Sequence, residues 1–397
     1  MKILTFSTLF PNTEKPGHGI FVETRLRHLV ATGQVEARVV APVAWFPSTH
    51  PRFGNYAKMA KVPRAEVRHG LQVEHPRYAA IPKLGMNVAP FLLAQAARPA
   101  IARLIDEGFD FDLIDAHYFY PDGVAAALLA RWFNKPLVIT ARGSDITLLP
   151  QYTLPRRMIK WAANRADAVI TVCNALRDEV VALGVPANRV TSLRNGVDLQ
   201  LFRPTERQAN SMFTLLTVGH LVPVKAQELI IAALPLLPGV RLVVAGDGPN
   251  RAMLEALART HNVAERVEFL GAVPQAQLRA HYGAADALVL ASSREGWANV
   301  LLEAMACGTP VVASRVYGTP EVVAAPEAGV LMRERSPQGV ADAVNALRAN
   351  YPDRAATRRY AEGFSWDDTS AGQLRLFADV LAGRALPRRA ALSSTPY

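Results

Sequence analysis

Two glutamates, Glu295 and Glu303, have seven residues between them in the segment from Ala287 to Ser314. The apolar run at 287–291 predicts a buried parallel strand, and the apolar residues that precede Glu303 predict the packed face of a helix. In open α/β sheets, ligands bind at the carboxyl ends of the strands. The two carboxylates are therefore expected beside a ligand-binding loop between this strand and this helix.

The start of that predicted helix offers a phosphate site. The backbone N–H groups of a first helical turn lack partners within the helix, and the helix dipole adds partial positive charge there. Glu303 is expected to accept hydrogen bonds from sugar or ribose hydroxyls. The alternative is that Glu295 is a solvated loop charge and Glu303 only stabilises the first turn. The loop residues predicted to line the site are Gly296, Trp297, Ala298, Asn299 and Val300.

The sequence of residues 293–314, SREGWANVLLEAMACGTPVVAS, resembles the donor-site signature of the retaining glycosyltransferases of family 4. The resemblance spans nearly the whole chain and implies the GT-B fold. In that fold, two Rossmann-like, doubly wound α/β domains face a cleft, and a C-terminal helix crosses back to the first domain. No metal-ligand cluster is evident in the sequence, which fits metal independence. No cofactor is expected, because the nucleotide-diphosphate sugar is a substrate.

A lysine follows the first strand of the second half of the chain. Residues 218–226 predict a strand end and a short loop with Lys225, whose charge would neutralise a leaving diphosphate. The loop resembles the family's glycine, arginine, lysine loop; Gly219 is in place, but His220 stands where arginine is common. A neutral histidine donates one hydrogen bond and is a weaker phosphate partner than a guanidinium. We therefore expect Lys225 to carry most of the positive charge.

Glycines end another predicted strand at Gly246, Asp247 and Gly248. They permit close approach of the backbone to a ligand. A third glycine is missing and no helix is expected at the required spacing, which argues against a nicotinamide or flavin site. The resemblance implies that Gly246, Asp247 and Val273 border the nucleotide base. Plain strand-ending turns are the alternative.

The first half of the chain carries a glycine loop and a histidine near strand ends. Gly17 and Gly19 lie between the first strand and the first helix, and His117 ends a buried strand, where side chains point into a ligand cleft. The resemblance implies that the glycine loop lies in the donor cleft and that His117 contacts the transferred sugar. A structural role for this single histidine is the alternative.

Charged residues follow the next strand. The resemblance implies that residues 141–145 line the acceptor side, where Arg142 would hold an acceptor phosphate. Asp145 has two interpretations of equal weight, an acceptor contact and a cap of the following turn. Glu321 resembles the family's loop glutamate that faces the donor, and a helix-start acid is its alternative.

Strand-like and helix-like segments alternate in two series, which indicates two doubly wound parallel sheets. Strands are predicted at residues 3–6, 37–41, 113–116, 137–140 and 169–172 in the first series, and at 215–218, 242–245, 267–270, 288–291 and 311–313 in the second. Helices are predicted at 19–31 and 123–133 in the first series. The predicted domains are a first domain at 1–194, a linker at 195–204, a second domain at 205–363, a crossover helix at 364–383 and a disordered tail at 384–397.

The chain of 397 residues carries 44 basic and 34 acidic side chains, and this net charge of +10 suggests an anionic partner. No nucleic-acid-binding motif accompanies the charge, so nucleic acid is not an expected partner. Cys173 and Cys307 have neither metal-ligand nor disulfide spacing and are expected to be buried thiols, compatible with a reducing cytoplasm. The first residues predict a strand and not a signal peptide, which favours a location inside the cell.

The segment from His50 to Lys83 has seven basic residues against two acids, with aromatic residues among them. This pattern predicts contact with an anionic membrane or with an acceptor, and a solvated loop region is the alternative. The uncharged run from Leu84 to Ala97 is too short to cross a bilayer. It predicts a core helix, or an in-plane membrane contact. We expect a cytoplasmic protein with peripheral attachment to the inner face of the membrane.

The sequence thus predicts an enzyme that moves a sugar from a nucleotide-diphosphate donor to a glycan or lipid-linked acceptor in surface polysaccharide biosynthesis. Lys225 and the helix N–H groups would stabilise the leaving diphosphate. The resemblance assigns the orientation of the sugar to Glu295 and His117. A nucleotide-sugar 2-epimerase of the same fold and a non-catalytic nucleotide-sugar-binding protein are the alternatives.

Overall fold

A computed structural model of the protein describes residues 1–80, 85–206 and 211–383, with only the backbone for residues 85 and 86. The predicted tail at 384–397 and Lys83 of the basic segment lie outside the described residues. The chain divides into two compact units. The first unit contains Met1–Arg194 and the residues from Thr369 onward, and the second contains Asn195–Asp368.

The strands of the first unit alternate with its helices along the chain. The strands are β1 (Lys2–Phe6), β2 (Glu36–Val40), β3 (Val43–Trp45), β4 (Ala65–Arg68), β5 (Leu71–Glu74), β6 (Arg77–Ala79), β7 (Leu113–His117), β8 (Leu137–Ala141), β9 (Ala168–Thr171) and β10 (Val190–Ser192). The helices are α1 (Ile20–Ala31), α2 (Asn55–Lys61), α3 (Gly85–Asp106), α4 (Val124–Phe133), α5 (Ser144–Thr147), α6 (Thr153–Arg165) and α7 (Asn174–Ala182).

Eight of these strands form one sheet in the order β10-β9-β8-β7-β1-β2-β5-β4. Neighbours in it run parallel, except for the antiparallel pair β4 and β5. Strands β3 and β6 form a separate parallel pair. Leu26 and Leu29 of α1 pack with Ile3 and Val39 of the sheet in a buried core. Burial of each such side chain stabilises the fold by roughly 1.5–3 kcal/mol.

The second unit repeats the alternation with a shorter sheet. Its strands are β11 (Phe213–Val218), β12 (Val240–Ala245), β13 (Val267–Gly271), β14 (Ala287–Leu290), β15 (Val311–Ala313) and β16 (Gly329–Leu331). Its helices are α8 (Gln227–Ala233), α9 (Arg251–Thr260), α10 (Gln275–Ala284), α11 (Asn299–Ala306), α12 (Thr319–Val322), α13 (Pro337–Ala349) and α14 (Arg354–Glu362). The last described helix, α15 (Trp366–Leu381), belongs to the first unit from Thr369 onward.

Each sheet has a point where the chain changes its direction of growth. In the second sheet, ordered β13-β12-β11-β14-β15-β16, the chain grows outward on one side of β11 and then resumes with β14 on the other. In the first sheet, the same reversal separates β1 from β7. Ligands of open α/β sheets bind outside the carboxyl ends of strands at such switch points. Ligands are therefore expected at the loops after β11 and β14 in the second unit and after β1 and β7 in the first.

The predicted α/β class with parallel sheets is confirmed. Every predicted strand is present, and the strands without a prediction are short or polar ones such as β4 and β16. The segment predicted as a linker, 195–204, is part of the second unit, where the Val197 amide donates to the Phe364 carbonyl at 2.9 Å. A Cβ on Gly196 would lie 2.6 Å from the Trp366 nitrogen, so this contact is close.

Helix α3 is longer than the uncharged run that predicted it, because it continues through Arg98 and Arg103. Within the described chain, one stretch of it, Asn87–Asp106, is long and apolar enough to cross a membrane by length and composition, and 39% of its apolar window is buried. Leu93 and Ile101 in this stretch are fully buried. This burial is typical of a helix that packs within the first unit.

Candidate active site

Lys225 and Glu295 meet at the switch point of the second sheet. Lys225 ends a short 3-10 turn after β11, and Glu295 lies in the loop after β14. The Lys225 Nζ is 2.5 Å from the Glu295 Oε1, and their side chains are 26% and 11% exposed. The Ser293 amide donates to the Val224 carbonyl at 2.8 Å, which ties the two loops together. Two residues that were predicted separately thus form one ion pair.

Glycines bring the neighbouring strand ends into backbone contact. Gly246 has a φ of 158°, and a Cβ there would lie 1.9 Å from the Gly219 carbonyl oxygen. The Gly246 amide donates to the Gly271 carbonyl at 2.8 Å, which places the loop of half-buried Val273 next to it. A side chain at residue 246 would displace the loop after β11, so this glycine is a steric requirement.

Two other predicted donor residues have exposed side chains. The His220 side chain is exposed, while its carbonyl accepts from Gln227 Nε2 at 3.2 Å. Asp247 is exposed and its Oδ1 accepts from the Gly248 amide at 2.8 Å. The expectation that no helix follows these glycines is wrong, because α9 begins at Arg251. The dinucleotide fingerprint needs a third glycine at position 251, where this chain has Arg251. The chain therefore lacks that fingerprint even though a helix begins there.

The helix predicted after this loop is α11, which begins at Asn299, and no side chain caps its first turn. The Asn299 amide donates to the Trp297 carbonyl at 3.1 Å, so this N–H is engaged within the loop. Its side-chain Oδ1 accepts from Asn195 Nδ2 at 3.2 Å. Trp297 and Ala298 are buried, whereas Gly296 and Val300 are half-buried. The positive end of the helix therefore lies directly after the loop of Glu295.

Glu303 is 9% exposed and faces two donors. Tyr282 Oη donates to its Oε2 at 2.7 Å, and Gln275 Nε2 donates to its Oε1 at 3.2 Å. Burial raises the pKa of Glu303, and the two hydrogen bonds partly oppose this. A carboxylate offers about four lone-pair positions, so each oxygen can still accept one further hydrogen bond.

His117 ends β7 in the first unit and uses both ring nitrogens. Arg142 Nη2 donates to its Nδ1 at 2.6 Å, and its Nε2 lies 3.2 Å from Asp115 Oδ2. A guanidinium can only donate, so Nδ1 is the acceptor and the imidazole proton is on Nε2. Burial lowers the pKa of His117 to about 4, so the ring is neutral near pH 7. Its predicted contact with a sugar stays a prediction.

Asp145 is fully buried and accepts backbone hydrogen bonds. Its oxygens receive the amides of Gly143 at 2.7 Å, Phe119 at 2.8 Å and Arg142 at 3.1 Å. Burial raises the pKa of Asp145, and these amides oppose that shift. Of its two predicted roles, the geometry supports the turn-capping one. Burial also lowers the pKa of Arg142 to about 9, and its guanidinium lies 5.2 Å from the Phe21 ring centroid.

A buried polar network behind His117 was not predicted. Gln373 Nε2 donates to Asp115 Oδ2 at 3.0 Å, and Arg25 Nε donates to Gln373 Oε1 at 2.8 Å. Arg25 and Asp115 are each 1% exposed. The sequence does place Arg25 and Gln373 on helices with a periodic apolar pattern, and such polar residues can be buried. That pattern does not indicate which residues they contact.

The glycine loop after β1 is held by backbone and carboxylate contacts. Gly19 has a φ of 69°, and a Cβ there would lie 2.2 Å from the Leu9 carbonyl oxygen, whereas a Cβ at Gly17 would meet nothing within 4 Å. Buried Asp122 accepts from the Thr8 amide at 3.0 Å and from the Thr8 hydroxyl at 2.9 Å. Burial raises the pKa of Asp122 to about 7. Gly19 is thus required by the fold, and Asp122 anchors the loop.

The remaining predicted residues occupy ordinary positions. Glu321 lies in the first turn of α12. Cys173 and Cys307 are buried, as predicted. Within residues 1–80, 85–206 and 211–383, no group of three or more His, Cys, Asp or Glu side chains is arranged to hold a metal ion.

Comparisons with known proteins agree with these features. Residues 17–201 match the family model "Glycosyltransferase Family 4", and residues 201–364 match "Glycosyl transferases group 1". The chain is 30% identical over 358 residues to a protein named as a teichuronic acid biosynthesis glycosyltransferase, TuaC of Bacillus subtilis (strain 168). That match covers 87% of this chain and 88% of TuaC.

Solved structures share the fold at lower identity. Sucrose-phosphate synthase from Thermosynechococcus elongatus has a TM-score of 0.79 and 21% identity, over 96% of this chain and 99% of that one. Anabaena HepE in complex with UDP and glucose has a TM-score of 0.71 and 22% identity, over 96% of this chain and all of the other. The family models, the relative and the shared fold together show that the chain is a GT-B glycosyltransferase of family 4.

Proposed function

We propose that this glycosyltransferase moves a sugar from a nucleotide-diphosphate donor to a glycan or lipid-linked acceptor, with retention of anomeric configuration and without a metal ion. The observation that carries the proposal is the pairing of Lys225 with Glu295 at the switch point of the second sheet, directly before the uncapped start of α11. Positive charge and a carboxylate stand side by side where α/β sheets bind ligands.

This arrangement suits the chemistry of donor cleavage. Breaking the bond between sugar and phosphate leaves negative charge on the diphosphate, and fixed positive groups that face this charge lower the barrier. An ammonium has three N–H donors, so Lys225 can hold Glu295 and a diphosphate oxygen together. The N-terminus of α11 adds partial positive charge. In the proposed front-face reaction, the acceptor hydroxyl passes its proton to the departing phosphate, and no protein nucleophile is needed.

Glu303 and the glycine contacts supply the proposed recognition of the nucleotide. The two oxygens of Glu303 are held by Tyr282 and Gln275, which fixes the carboxylate for a further hydrogen bond from a ribose hydroxyl. The loops of Gly246 and Val273 lie together and would border the base. HepE has been solved with UDP and with UDP-glucose, which supports a uridine nucleotide as the first donor to test.

The name of the relative TuaC supports a role in the biosynthesis of a surface polysaccharide. We also propose a cytoplasmic enzyme with peripheral attachment to an anionic membrane surface. Arg52, Lys58, Lys61 and Arg64 are exposed, and the nearby Trp45 and Tyr56 are 55% and 50% exposed. Not all of the basic segment is available: Arg68 pairs with Glu23 at 2.8 Å, and Arg77 donates to the Met59 carbonyl.

The decisive experiment incubates the purified protein with UDP-glucose, UDP-galactose, UDP-N-acetylglucosamine, UDP-glucuronate, GDP-mannose and ADP-glucose, with and without glycan acceptors. Proton NMR of the anomeric region reads the product, and a parallel series contains EDTA. We expect an acceptor-dependent product with the donor's anomeric configuration and an unchanged rate in EDTA.

Other outcomes would contradict parts of the proposal. An inverted anomeric configuration would contradict retention, and loss of activity in EDTA would contradict metal independence. Epimerised donor in the absence of acceptor would identify a 2-epimerase. Donor binding with neither hydrolysis nor transfer would indicate a binding protein that has lost catalysis.

A further inference from the structure

The side-chain amide of Gln373 on α15 is buried and joins two parts of the first unit. Its Oε1 accepts from Arg25 Nε of α1 at 2.8 Å, and its Nε2 donates to Asp115 Oδ2 of β7 at 3.0 Å. The same Asp115 oxygen lies 3.2 Å from His117 Nε2. One carboxylate oxygen is therefore shared between the amide and the imidazole.

We propose that Gln373 is a positioning residue: by holding Asp115, it fixes the orientation of the His117 imidazole with the proton on Nε2 and limits the interaction of Asp115 with that ring. The link of this role to catalysis rests on the proposed function and on the predicted contact of His117 with the transferred sugar. The role itself concerns the protonation of one histidine, which can be measured on the protein without a substrate.

The charged groups around His117 determine the direction of the effect. Asp115 on the same strand favours the charged imidazolium, whereas Arg142 after β8 and Arg25 on α1 oppose it, as does burial. Gln373 adds a hydrogen-bond donor to Asp115 and so stabilises negative charge on that carboxylate. Without this donor, the Asp115 oxygen interacts more strongly with His117, and the pKa of His117 rises.

Asp115 and His117 have threonine neighbours on the adjacent strands. Thr5 pairs with Asp115, and His117 pairs with Thr140, in the parallel register of β1, β7 and β8. These side chains therefore share one face of the sheet. Asp115 Oδ1 and Arg25 Nη2 are buried without a hydrogen-bond partner among the residues that the structure describes. Among these described residues, Gln373 is the side chain that hydrogen-bonds to both Arg25 and Asp115.

The competing interpretation is that Gln373 only helps α15 to pack. Leu374, Phe377 and Val380 on the same helix are buried in the core of the first unit. A packing role predicts that loss of Gln373 lowers stability and leaves the protonation of His117 unchanged. A positioning role predicts a change at the histidine itself.

The test is NMR of the full-length protein with ¹⁵N-labelled histidine, titrated from about pH 8 to about pH 5. His117→Asn identifies the His117 signals among those of the nine histidines. In the wild type, we expect a neutral ring protonated on Nε2 throughout this range. In Gln373→Met, which has a similar volume and no amide, we expect the pKa of His117 to rise by about one unit or more from its value of about 4, so that the ring is about half protonated or more at about pH 5.

Two further variants keep the test decisive. Gln373→Asn retains a polar amide that is one methylene shorter and cannot span Arg25 and Asp115 together, so it should also raise the midpoint if Gln373→Met fails to fold. Phe377→Leu is the matched control, because it weakens the packing of α15 and leaves the network in place. It should lower the thermal midpoint and leave His117 unchanged. The proposal is wrong if, in every folded Gln373 variant, the His117 ring stays neutral with its proton on Nε2 down to the lowest pH at which the wild-type ring is neutral.

Discussion

Lys225 and Glu295 of the second unit are partly exposed, at 26% and 11%, and pair with each other. His117 and Asp115 of the first unit are each 1% exposed, and both ring nitrogens of His117 face protein groups. The second unit therefore keeps charge accessible to a ligand, while the first unit fixes its polar groups within the protein. Substitution of Lys225 or Glu295 should therefore change mainly rate and affinity, and substitution of a buried polar group of the first unit should change mainly stability and its dependence on pH.

The largest expected effect is that of Lys225→Ala on turnover. Removal of the charge that faces the leaving diphosphate should lower the transfer rate on the order of a hundredfold. Stability should fall much less than the rate, although Glu295, which is 11% exposed, loses its cation. Initial rates and thermal unfolding measure the two effects. Lys135→Ala is the matched control, since Lys135 pairs with Asp110 at 2.6 Å in the first unit. Equal rates in wild type and Lys225→Ala would remove this lysine from the site.

Glu303 belongs to the second unit but is buried, as His117 and Asp115 of the first unit are. It therefore tests whether burial determines which substitutions lower stability. Glu303→Ala should weaken UDP binding about tenfold or more, because one hydrogen bond to a charged group contributes about 1.5 kcal/mol or more. It should also lower stability, since the buried Tyr282 hydroxyl loses its acceptor. The contacts therefore predict that Glu303→Ala lowers both the affinity for UDP and the free energy of unfolding.

Tyr282→Phe separates the two effects of Glu303. It removes the same 2.7 Å hydrogen bond and leaves the carboxylate in place. Calorimetry should show a stability loss similar to that of Glu303→Ala with a smaller loss of UDP affinity. Unchanged UDP affinity in Glu303→Ala would exclude a ribose contact by this residue.

Asp122 should make the stability of the first unit depend on pH. Burial raises the pKa of Asp122 from 3.8 to about 7 on folding, so the native state binds more protons than the unfolded state between these values. The free energy of unfolding should therefore fall as pH rises through this window, by up to about 1.4 kcal/mol for each pH unit. In Asp122→Asn, the amide oxygen can still accept from the Thr8 N–H, and the amide NH2 can donate to the Thr8 hydroxyl oxygen. This variant should abolish this part of the pH dependence.

Urea unfolding from about pH 4 to about pH 7.5 measures the Asp122 effect as the difference between wild type and variant. Asp178→Asn is a suitable control, because the Asp178 side chain is 77% exposed on α7. Parallel curves for wild type and Asp122→Asn would show that the aspartate is ionised in the folded protein throughout the window.

The smallest expected effect concerns vesicle binding by the basic surface of the first unit. Each exposed cation near an anionic membrane contributes roughly 1 kcal/mol, and salt screens it over about 10 Å at 0.1 M. Lys58→Glu combined with Lys61→Glu should weaken co-sedimentation with anionic vesicles at low salt. The control is Arg259→Glu combined with Arg333→Glu, at two exposed positions of the second unit. It should leave co-sedimentation with anionic vesicles unchanged. If the wild type binds neither anionic nor neutral vesicles at low salt, the acceptor interpretation of this surface remains.

Continuous apolar runs made the sheets predictable from the sequence. The run predicted at 137–140 is the strand Leu137–Ala141, because a strand buried on both faces carries few polar residues. Strand β4, with the sequence AEVR, lacks such a run and was missed. Its pairing with β5 is set by a neighbouring strand and not by its own composition.

The candidate site was predictable residue by residue, but its contacts were not. Lys225 and Glu295 each stand at a strand end that the sequence marks, yet their 2.5 Å contact joins positions 70 residues apart. Arg25 and Gln373 are 348 residues apart, and their contact exists only because α15 packs in the first unit. No local pattern encodes contacts of that separation, because they arise from the tertiary packing.

The division of the chain between the two units also determines an order of synthesis. The second unit is continuous from Asn195 to Asp368, so the ribosome completes all of its residues before it makes Leu374, Phe377 and Val380 of the first unit's core. Domains of multidomain proteins generally fold as units, starting from the N-terminus during synthesis. In this protein, the second unit has all of its core residues before the first unit does. The first unit cannot complete its core until α15 has been synthesised.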